Sequence, residues 1–441
     1  MNLMNALQQD WAINVQKDTK LLNNITNVIN GPFHIIHPKS FANNLLGFQK
    51  VLNNHNITGQ VYFGKKANKA GAWLTEVARL NGAVDVASIP EFIHALSKGI
   101  QGKNIGVTGA AKSDELLWLS ARHGALVAID ALDELERAIN IVTNTSDKLR
   151  ILLRVLPPNS PNSRFGLNSE DIVTALERCK DVKNYISMEG FSFHLDGYLV
   201  KPRVEMAFIL IEWCTKAREY GFPSSSISIG GGFACSYVDE DDWNSFKNTH
   251  NPNQFHAGKK FSHFYPYHQS PTGADMLDAI LDSSVGSISL ANKLINTQIQ
   301  LYLEPGRALL DGAGMTVFPV QGFKKNDEHG IVTVAGLSMS LSEQWKNSEF
   351  LPTPILIQRG SARPQAPIQA IIGGSSCMEY DVLTWRKIKF SAIPRYGDLI
   401  IYPNTAGYQM DKNESEFHQL PLPKKVVVAE QDEGFSWRID K

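Results

Sequence analysis

The fold is decided by residues 60–130, which read QVYFGKKANKAGAWLTEVARLNGAVDVASIPEFIHALSKGIQGKNIGVTGAAKSDELLWLSARHGALVAID. Short apolar and β-branched runs, typical of buried strands, recur through this stretch, and segments of helical length and period separate them. We predict strands at 60–64, 84–87, 104–108 and 126–130. Because parallel strands need a crossover connection, which is usually a helix, this alternation predicts a parallel α/β fold.

The same alternation continues along the chain. Four more strands are predicted at 150–156, 190–195, 227–230 and 298–303. Eight strand–helix units over about 250 residues match a closed (β/α)8 TIM barrel better than an open sheet. Catalytic groups of such barrels lie at the C-terminal ends of the strands, so the residues that follow each strand become the candidates for a site.

The last quarter of the chain has a different pattern. From Gly314 onward, β-rich segments are separated by turn residues, and little of the sequence has the period of a long helix. We therefore expect a barrel domain at 38–307 and a mainly antiparallel β-barrel or β-sandwich domain formed by 308–441 together with 1–37. Residues 239–267 are longer than an ordinary loop, and we interpret them as an active-site cover.

Composition narrows the class of protein. The 441 residues carry 43 Lys+Arg against 44 Asp+Glu, so the basic surplus typical of nucleic-acid or anionic-membrane binding is missing. The four cysteines have no CxxC spacing, which indicates neither a zinc site nor a disulfide framework. No apolar stretch approaches a membrane span, and the N-terminus does not resemble a signal peptide. We expect a soluble cytoplasmic protein that binds no metal.

The first predicted strand is followed by two lysines, Lys65 and Lys66. A lysine that enters a barrel mouth can form a Schiff base if burial lowers its pKa toward nucleophilic values. Two adjacent lysines alone are more often a solvated surface pair, so the pair by itself leaves both interpretations open.

Three other strands also end in residues that carry chemistry. His194 lies near the end of the sixth strand, three consecutive glycines end the seventh, and Glu304 with Arg307 follows the eighth. Backbone N–H groups of a glycine run can approach an anion, and an acid near the barrel axis needs a cationic partner. Each feature alone has a structural explanation. Together with a strand-end lysine, they are the groups needed to hold pyridoxal phosphate (PLP).

From about residue 33 to about residue 428, the chain resembles the fold-type III PLP-dependent decarboxylases, which include the diaminopimelate, ornithine and arginine decarboxylases. The resemblance depends on short motifs in a fixed order. They are FGKKAN (63–68), DVAS (85–88) with Glu91, Arg154, SRFG (163–166), GGG (230–232), EPGR (304–307), CMEYD (377–381), and GD (397–398) with AGY (406–408).

The resemblance implies an alanine-racemase-like barrel with a C-terminal β domain, and pyridoxal 5′-phosphate as the cofactor. Lys66 would bind the cofactor as an aldimine. The implied cofactor-binding residues are Lys66, Asp85, Arg154, His194, Gly230, Gly231, Gly232, Glu304, Gly306, Arg307 and Tyr408. Family members are homodimers that share their sites, so a catalytic Cys377 would act in trans. The expected substrate-binding residues are Asp196, Cys377, Glu379 and Asp381.

Two departures from the family pattern bear on the substrate. The family's HxGS segment is replaced here by His194-Leu195-Asp196-Gly197, and Asp196 is either a ligand for a substrate ammonium group or a structural residue of a glycine turn. Residues 338–350 contain no arginine where diaminopimelate decarboxylases have one. We expect a small-molecule substrate that is a different diamino acid or amino-acid conjugate, for example in siderophore or other secondary metabolism.

The expected reaction is decarboxylation of an α-amino acid through a quinonoid carbanion that Glu304 stabilises, with Cys377 or Lys66 as the proton donor. An amino-acid racemase on the same scaffold is the alternative, although racemases of this fold usually have an arginine at the ring nitrogen. A third hypothesis is a catalytically inactive regulatory homologue, and the retention of Lys66 and Cys377 argues against it.

Overall fold

The computed structural model describes residues 4–326, 328–341, 348–360, 363–412 and 414–440. Two short helices, α1 (Asp10–Lys17) and α2 (Thr19–Ile29), precede the first strand, β1 (Phe33–Ile36). Both helices are amphipathic. Their apolar residues, among them Val15 and Ile25, are buried against the sheet that contains β1.

Eight parallel strands close into a barrel in the order β11-β2-β3-β4-β5-β6-β7-β8, which confirms the predicted TIM barrel. Their bounds are β2 (Gly59–Gly64), β3 (Ala83–Val86), β4 (Ile105–Val107), β5 (Leu126–Ile129), β6 (Leu149–Arg154), β7 (Ile186–Ser192), β8 (Ser226–Ser228) and β11 (Gln300–Leu303). A two-stranded hairpin, β9 (Ser284–Val285) and β10 (Ile288–Ser289), lies outside the barrel.

The sixth barrel strand is the one whose predicted bounds differ most from the structure. It was expected at 190–195 but begins at Ile186 and ends at Ser192. Glu189 interrupts the apolar run, because its carboxylate pairs with Arg150 of β6 at 2.7 Å. His194 therefore lies beyond the strand, in the loop at the barrel mouth.

Helices surround the barrel and bury their apolar faces against it. They are α3 (Pro38–Asn54), α4 (Gly71–Arg79), α5 (Ile89–Ser97), α6 (Asp114–His123), α7 (Leu132–Thr145), α8 (Ser169–Lys180), α9 (Val200–Glu219), α10 (Glu240–Thr249), α11 (Gly273–Asp282) and α12 (Leu290–Thr297). Among the described residues, no helix is long and apolar enough to span a bilayer.

The second domain is a mostly antiparallel sheet, as predicted. It contains β1 and the strands β12 (Gly314–Lys325), β13 (Gly330–Val334), β14 (Ile355–Ile357), β15 (Ile368–Gly373), β16 (Val382–Phe390), β17 (Leu399–Tyr402), β18 (Lys424–Glu430) and β19 (Phe435–Ile439). β1 lies between β12, to which it is antiparallel, and β18, to which it is parallel. The β13–β15 pair is also parallel.

The segment 239–267, expected to be a cover, contains α10 and a cluster of aromatic side chains. It contacts the β domain at several places, two of which involve Phe255 and His256. Phe255 forms a bridge with Arg386 of β16, and the Nδ1 atom of His256 lies 3.0 Å from Nε2 of His329. The segment is therefore packed against the second domain, and its Tyr265 reaches the barrel mouth, as described below.

Candidate active site

Two adjoining cavities open at the C-terminal ends of the barrel strands. Their volumes are about 430 Å³ and 390 Å³, and Lys66, His194 and Glu304 line both. Sites that bind small cofactors and ligands typically enclose about 300–1,000 Å³. The structure thus brings together side chains from three strand ends that are up to 238 residues apart in the sequence.

Lys66 lies in the turn after β2 and is exposed to the cavity, whereas its neighbour Lys65 is buried. Burial lowers the pKa of Lys66, but the charges of Asp85, Tyr408 and Glu304 together raise it by more, so the net pKa is above the usual value. In the cofactor-free chain the net pKa of Lys66 is therefore not shifted toward nucleophilic values, because the charges of the neighbouring acids outweigh burial.

Asp85 and Glu304 are the two acids near Lys66. Burial, and then the charge of Glu304, raise the pKa of Asp85 to about 8, although Lys66 and a hydrogen bond from Thr108 oppose the shift. The Oδ1 atom of Asp85 is buried without a hydrogen-bond partner among the described residues. Glu304 differs, because its Oε1 accepts a 2.6 Å hydrogen bond from Oγ of Ser228 on the neighbouring strand.

The glycine run after β8 brings backbone close to the cavity. A Cβ on Gly231 would lie 2.7 Å from the carbonyl oxygen of Glu304, and one on Gly232 would lie 1.9 Å from Nη2 of Arg203. Gly230 and Gly232 have φ of +65° and +77°, which side chains rarely adopt. Gly306 is similarly confined, since its Cβ would meet the Tyr408 hydroxyl at 3.1 Å. The three positions of the glycine run therefore favour glycine strongly, and a side chain at Gly306 would require its neighbours to shift.

Arg307 faces the same cavity and is held by aromatic residues. Its Nη1 donates hydrogen bonds to the Tyr237 hydroxyl at 2.8 Å and to the Gly407 carbonyl at 3.0 Å. The guanidinium also lies over the rings of Tyr265, at 4.5 Å, and Tyr408, at 4.9 Å. These contacts fix a positive charge beside the glycine run.

His194 lies in the loop after β7, between the two cavities. Burial, followed by the charges of Lys66, Arg154 and Arg203, lowers its pKa to about 3. The N–H of Gly231 points at its Nδ1 at 3.5 Å. His194 is therefore a neutral ring at physiological pH, which favours ring packing over a role as an acid.

The second cavity has Arg154 on its wall, at the end of β6. Arg154 pairs with Asp130 at 3.2 Å and lies over the ring of Phe165 at 4.3 Å. Arg164 lies over the same ring at 4.1 Å. Phe165 of the SRFG segment therefore packs directly on Arg154.

Asp196 is an exposed residue of the first cavity's wall. Among the described residues, its carboxylate has no ion-pair partner. The cavity also contains the exposed Lys412, which the sequence analysis did not single out.

The CMEYD segment lies away from the cavity of its own chain. Cys377 and Glu379 are exposed, and neither lines the described cavities. Asp381 is buried instead, and its carboxylate accepts hydrogen bonds from the N–H groups of Ser338, at 2.7 Å, and Ser376, at 3.1 Å. The carboxylate of Asp381 therefore stabilises this turn and is not free to bind a substrate. Only Cys377 and Glu379 of this segment remain as candidates for substrate contact.

Ser228 and two tyrosines are site residues that the sequence analysis missed. The two-residue period of β8 places Ser226 and Ser228 on the barrel interior, so that pattern could have identified Ser228. Tyr237 and Tyr265 belong to the long connection after β8, and no sequence pattern places them beside Arg307.

These residues fit PLP in their chemistry. The cofactor needs an amine for its aldehyde, a carboxylate for its pyridine nitrogen and a cationic backbone-rich cradle for its phosphate. Lys66, Glu304 and the cradle of Gly230, Gly231, Gly232 and Arg307 supply these groups around one cavity. The fold and the site define a barrel enzyme that uses PLP.

Comparison with known proteins identifies the family. The family model described as "Pyridoxal-dependent decarboxylase, pyridoxal binding domain" matches residues 40–266. The uncharacterised protein y4yA of Sinorhizobium fredii is 34% identical over 407 residues, which cover 91% of this chain and 89% of that protein. The chain belongs to the pyridoxal-dependent decarboxylase family, and it is a PLP-dependent amino-acid decarboxylase.

Solved structures share the fold. Diaminopimelate decarboxylase from Helicobacter pylori, complexed with L-lysine, superposes with a TM-score of 0.73 at 16% identity and covers 95% of each chain. The protein SrLDC, solved in complex with PLP and cadaverine, has a TM-score of 0.70 at 19% identity and covers 93% of each chain. Identities this low show a common architecture.

Proposed function

We propose that this enzyme decarboxylates an α-amino acid that carries a second amino group, either as a free diamino acid or within a conjugate. The observation that carries the proposal is Asp196, an exposed carboxylate in the same cavity wall as Lys66. Since the described residues offer it no ion-pair partner, a cationic group of the substrate would complete its interactions.

The ligands of the structural neighbours support this substrate class. L-lysine in the Helicobacter pylori structure and cadaverine in the SrLDC structure both have an ammonium group remote from the reacting carbon. Diaminopimelate also has a distal carboxylate, and residues 338–350 contain no arginine where diaminopimelate decarboxylases have one to bind it. Of this stretch, 342–347 lie outside the described residues.

Lys66 and Glu304 are assigned to the two ends of the cofactor ring. PLP supplies an electron sink for the pair left when the carboxylate departs as CO2. Glu304 would hold a proton at the pyridine nitrogen, because a carboxylate beside a base favours its charged form. The bond from Ser228 fixes the orientation of that carboxylate. Lys66 would hold the cofactor through its aldehyde group, and Asp85 and Glu304 are the acids that act on the Lys66 amine.

The phosphate is assigned to the cradle of Gly230, Gly231 and Gly232, with Gly306, Arg307 and Tyr408 beside it. Backbone N–H groups and a fixed guanidinium favour a dianion there. His194 would pack on the ring face as a neutral imidazole, a role that its low pKa supports. Arg154, held by Asp130 and Phe165, closes the opposite end of the cavity.

We also propose a homodimer in which each site is completed by the other chain. Cys377 and Glu379 are exposed and line no described cavity of their own chain. In a shared site, Cys377 of the partner subunit would give its Sγ proton to the α-carbon after CO2 leaves, or Lys66 Nζ would do so. All four cysteines are free, which supports our proposal that the enzyme works in the reducing cytoplasm.

A substrate screen tests the proposal. Release of CO2 is measured from lysine, ornithine, arginine, diaminopimelate and norleucine, which is lysine without its distal amine, and from amine-bearing conjugates of secondary metabolism. We expect amine-bearing substrates to react and norleucine to be about tenfold poorer in kcat/KM, because it lacks the one charge-assisted contact with the exposed carboxylate of Asp196.

Two variants test whether Asp196 binds the second amino group of the substrate. Asp196→Asn should raise KM for the amine-bearing substrate by about tenfold with a smaller effect on kcat, the loss of one charge-assisted contact. Asp181→Asn is the matched control, because Asp181 is exposed after the end of α8 and lines no described cavity. Equal turnover of norleucine, or an unchanged KM in Asp196→Asn, would contradict the assignment.

A further inference from the structure

Arg203 is a buried arginine behind the wall of the first cavity. It lies in the first turn of α9 and is only 1% exposed. Its Nη2 donates hydrogen bonds to three backbone carbonyls, those of Gly197 at 2.6 Å, Gly232 at 3.1 Å and Leu195 at 3.4 Å. One guanidinium thus joins the loop after β7 to the glycine run after β8.

The two loops that Arg203 joins both line the cavity. Gly232 must be glycine for this contact to form, since a Cβ there would overlap Nη2 at 1.9 Å. Gly197, whose carbonyl receives the shortest of the three bonds, directly follows Asp196. The guanidinium therefore fixes the position of the cradle from behind, without lining the cavity itself.

The charge of Arg203 lacks a matching anion within the described part of the chain. No carboxylate lies at ion-pair distance, its Nε has no hydrogen-bond partner, and its three acceptors are neutral carbonyls. Burial lowers the pKa of Arg203 to about 10, partly offset by Tyr198 and Asp196, so the group stays charged at neutral pH. A buried charge without a counter-ion is costly unless another group compensates it.

We propose that Arg203 is a positioning residue for the cofactor phosphate: it clamps the two cradle loops, and its uncompensated charge is balanced by the phosphate dianion. This inference rests on the phosphate placement proposed above. Asp196 places a negative charge beside the cradle, and Gly197 stands where the family has a serine. The positive charge of Arg203 explains how the cradle can still hold a dianion.

The test compares PLP with pyridoxal, which lacks the phosphate. Cofactor is removed from the purified enzyme with hydroxylamine, and Kd is measured for each compound by titration. In Arg203→Met we expect a loss of PLP affinity of about 30-fold, while pyridoxal affinity changes less than about threefold. Arg203→Lys keeps the charge but not the fork of donors, so we expect an intermediate loss of about fivefold for PLP.

Arg218→Met is the matched control. Arg218 lies on the same helix and also donates to backbone carbonyls, those of Pro223, Ser224 and Thr297, but it lines no described cavity. A purely structural role for Arg203 would lower stability in both variants and leave the ratio of the two Kd values unchanged. If Arg203→Met does not fold, the ratio in Arg203→Lys decides.

Arg307→Gln tests the phosphate placement independently of the role proposed for Arg203. If Arg307→Gln loses PLP but not pyridoxal affinity, the placement holds. An unchanged ratio in the folded Arg203 variants then overturns the role of Arg203 alone. If Arg307→Gln also leaves the ratio unchanged, the phosphate placement itself is overturned, and the inference with it.

Discussion

The hydroxyl of Ser228 donates a 2.6 Å hydrogen bond to Oε1 of Glu304. The two residues stand at the C-terminal ends of β8 and β11, which are neighbours in the closed barrel. The bond fixes one oxygen of the acid that we assign to the pyridine nitrogen. Preorganised groups of this kind stabilise charge without reorganising during the reaction.

Glu304→Gln should still bind PLP, because Lys66, the glycine cradle and Arg307 remain. Its kcat should fall by a factor on the order of 10²–10³, typical for the loss of one preorganised electrostatic group. Cofactor occupancy and kcat are measured on the same preparation. Full occupancy with undiminished kcat would remove Glu304 from the mechanism.

Ser228→Ala removes the bond that orients Glu304 while leaving the carboxylate in place. We expect kcat to fall by about tenfold, with PLP occupancy unchanged, since one hydrogen bond to a charged group contributes about 1.5–3 kcal/mol at most. Ser226→Ala is the matched control, because Ser226 faces Tyr302 deeper in the barrel. An equal loss in both variants would indicate a general effect on packing.

The pKa of Asp85 predicts a pH dependence of stability in the cofactor-free protein. Its folded value of about 8 lies above the value of 3.8 for an exposed aspartate. The native state therefore binds more protons between these values, and the contribution of Asp85 to the free energy of unfolding falls as pH rises from about 4 to about 8. Below pH 4 the contribution is fully present.

Denaturant unfolding of the wild type and Asp85→Asn across this range measures the effect. The wild type should lose stability relative to the variant by at most about 1.4 kcal/mol per pH unit, and the difference should level off above pH 8. A difference that is flat, or that rises with pH, would show that Asp85 is ionised in the native state.

The shared site predicts complementation between inactive variants. Random exchange of Lys66→Ala and Cys377→Ala subunits makes half of the dimers mixed, and each mixed dimer has one intact site, so about a quarter of native activity should return. Exchange is followed independently with differently tagged chains. Proven exchange without recovered activity would mean that Cys377 serves its own chain or has no catalytic role.

The barrel was predictable because its strands and helices differ in period and length. The sixth strand was misplaced because Glu189, paired with Arg150 of the neighbouring strand, breaks its apolar run. In the last quarter we predicted β segments at 316–323, 331–337, 366–372, 399–402 and 425–428. The strands β14, β16 and β19 were not among them, although the alternation of β16 is visible in the sequence, and α1 and α2 were also missed.

The site was predictable where chemistry follows a strand end, as at Lys66 and Glu304. Two features were not predictable. The raised pKa of Lys66 depends on acids brought from β3 and from the end of β11. Likewise, the clamp at Arg203 depends on the path of two loops that only the folded barrel brings together.

The central claim is that PLP binds at the barrel mouth and is attached to Lys66, in the turn after β2. The most direct test is to trap the cofactor covalently on its lysine. The enzyme is reduced with borohydride, digested, and the pyridoxyl-lysine peptide is identified by mass, with Lys66→Ala as the control. We predict the adduct on Lys66, which faces the cavity, and none on Lys65, which is buried. An adduct on Lys65 or Lys69, or an unchanged adduct in Lys66→Ala, would contradict the claim.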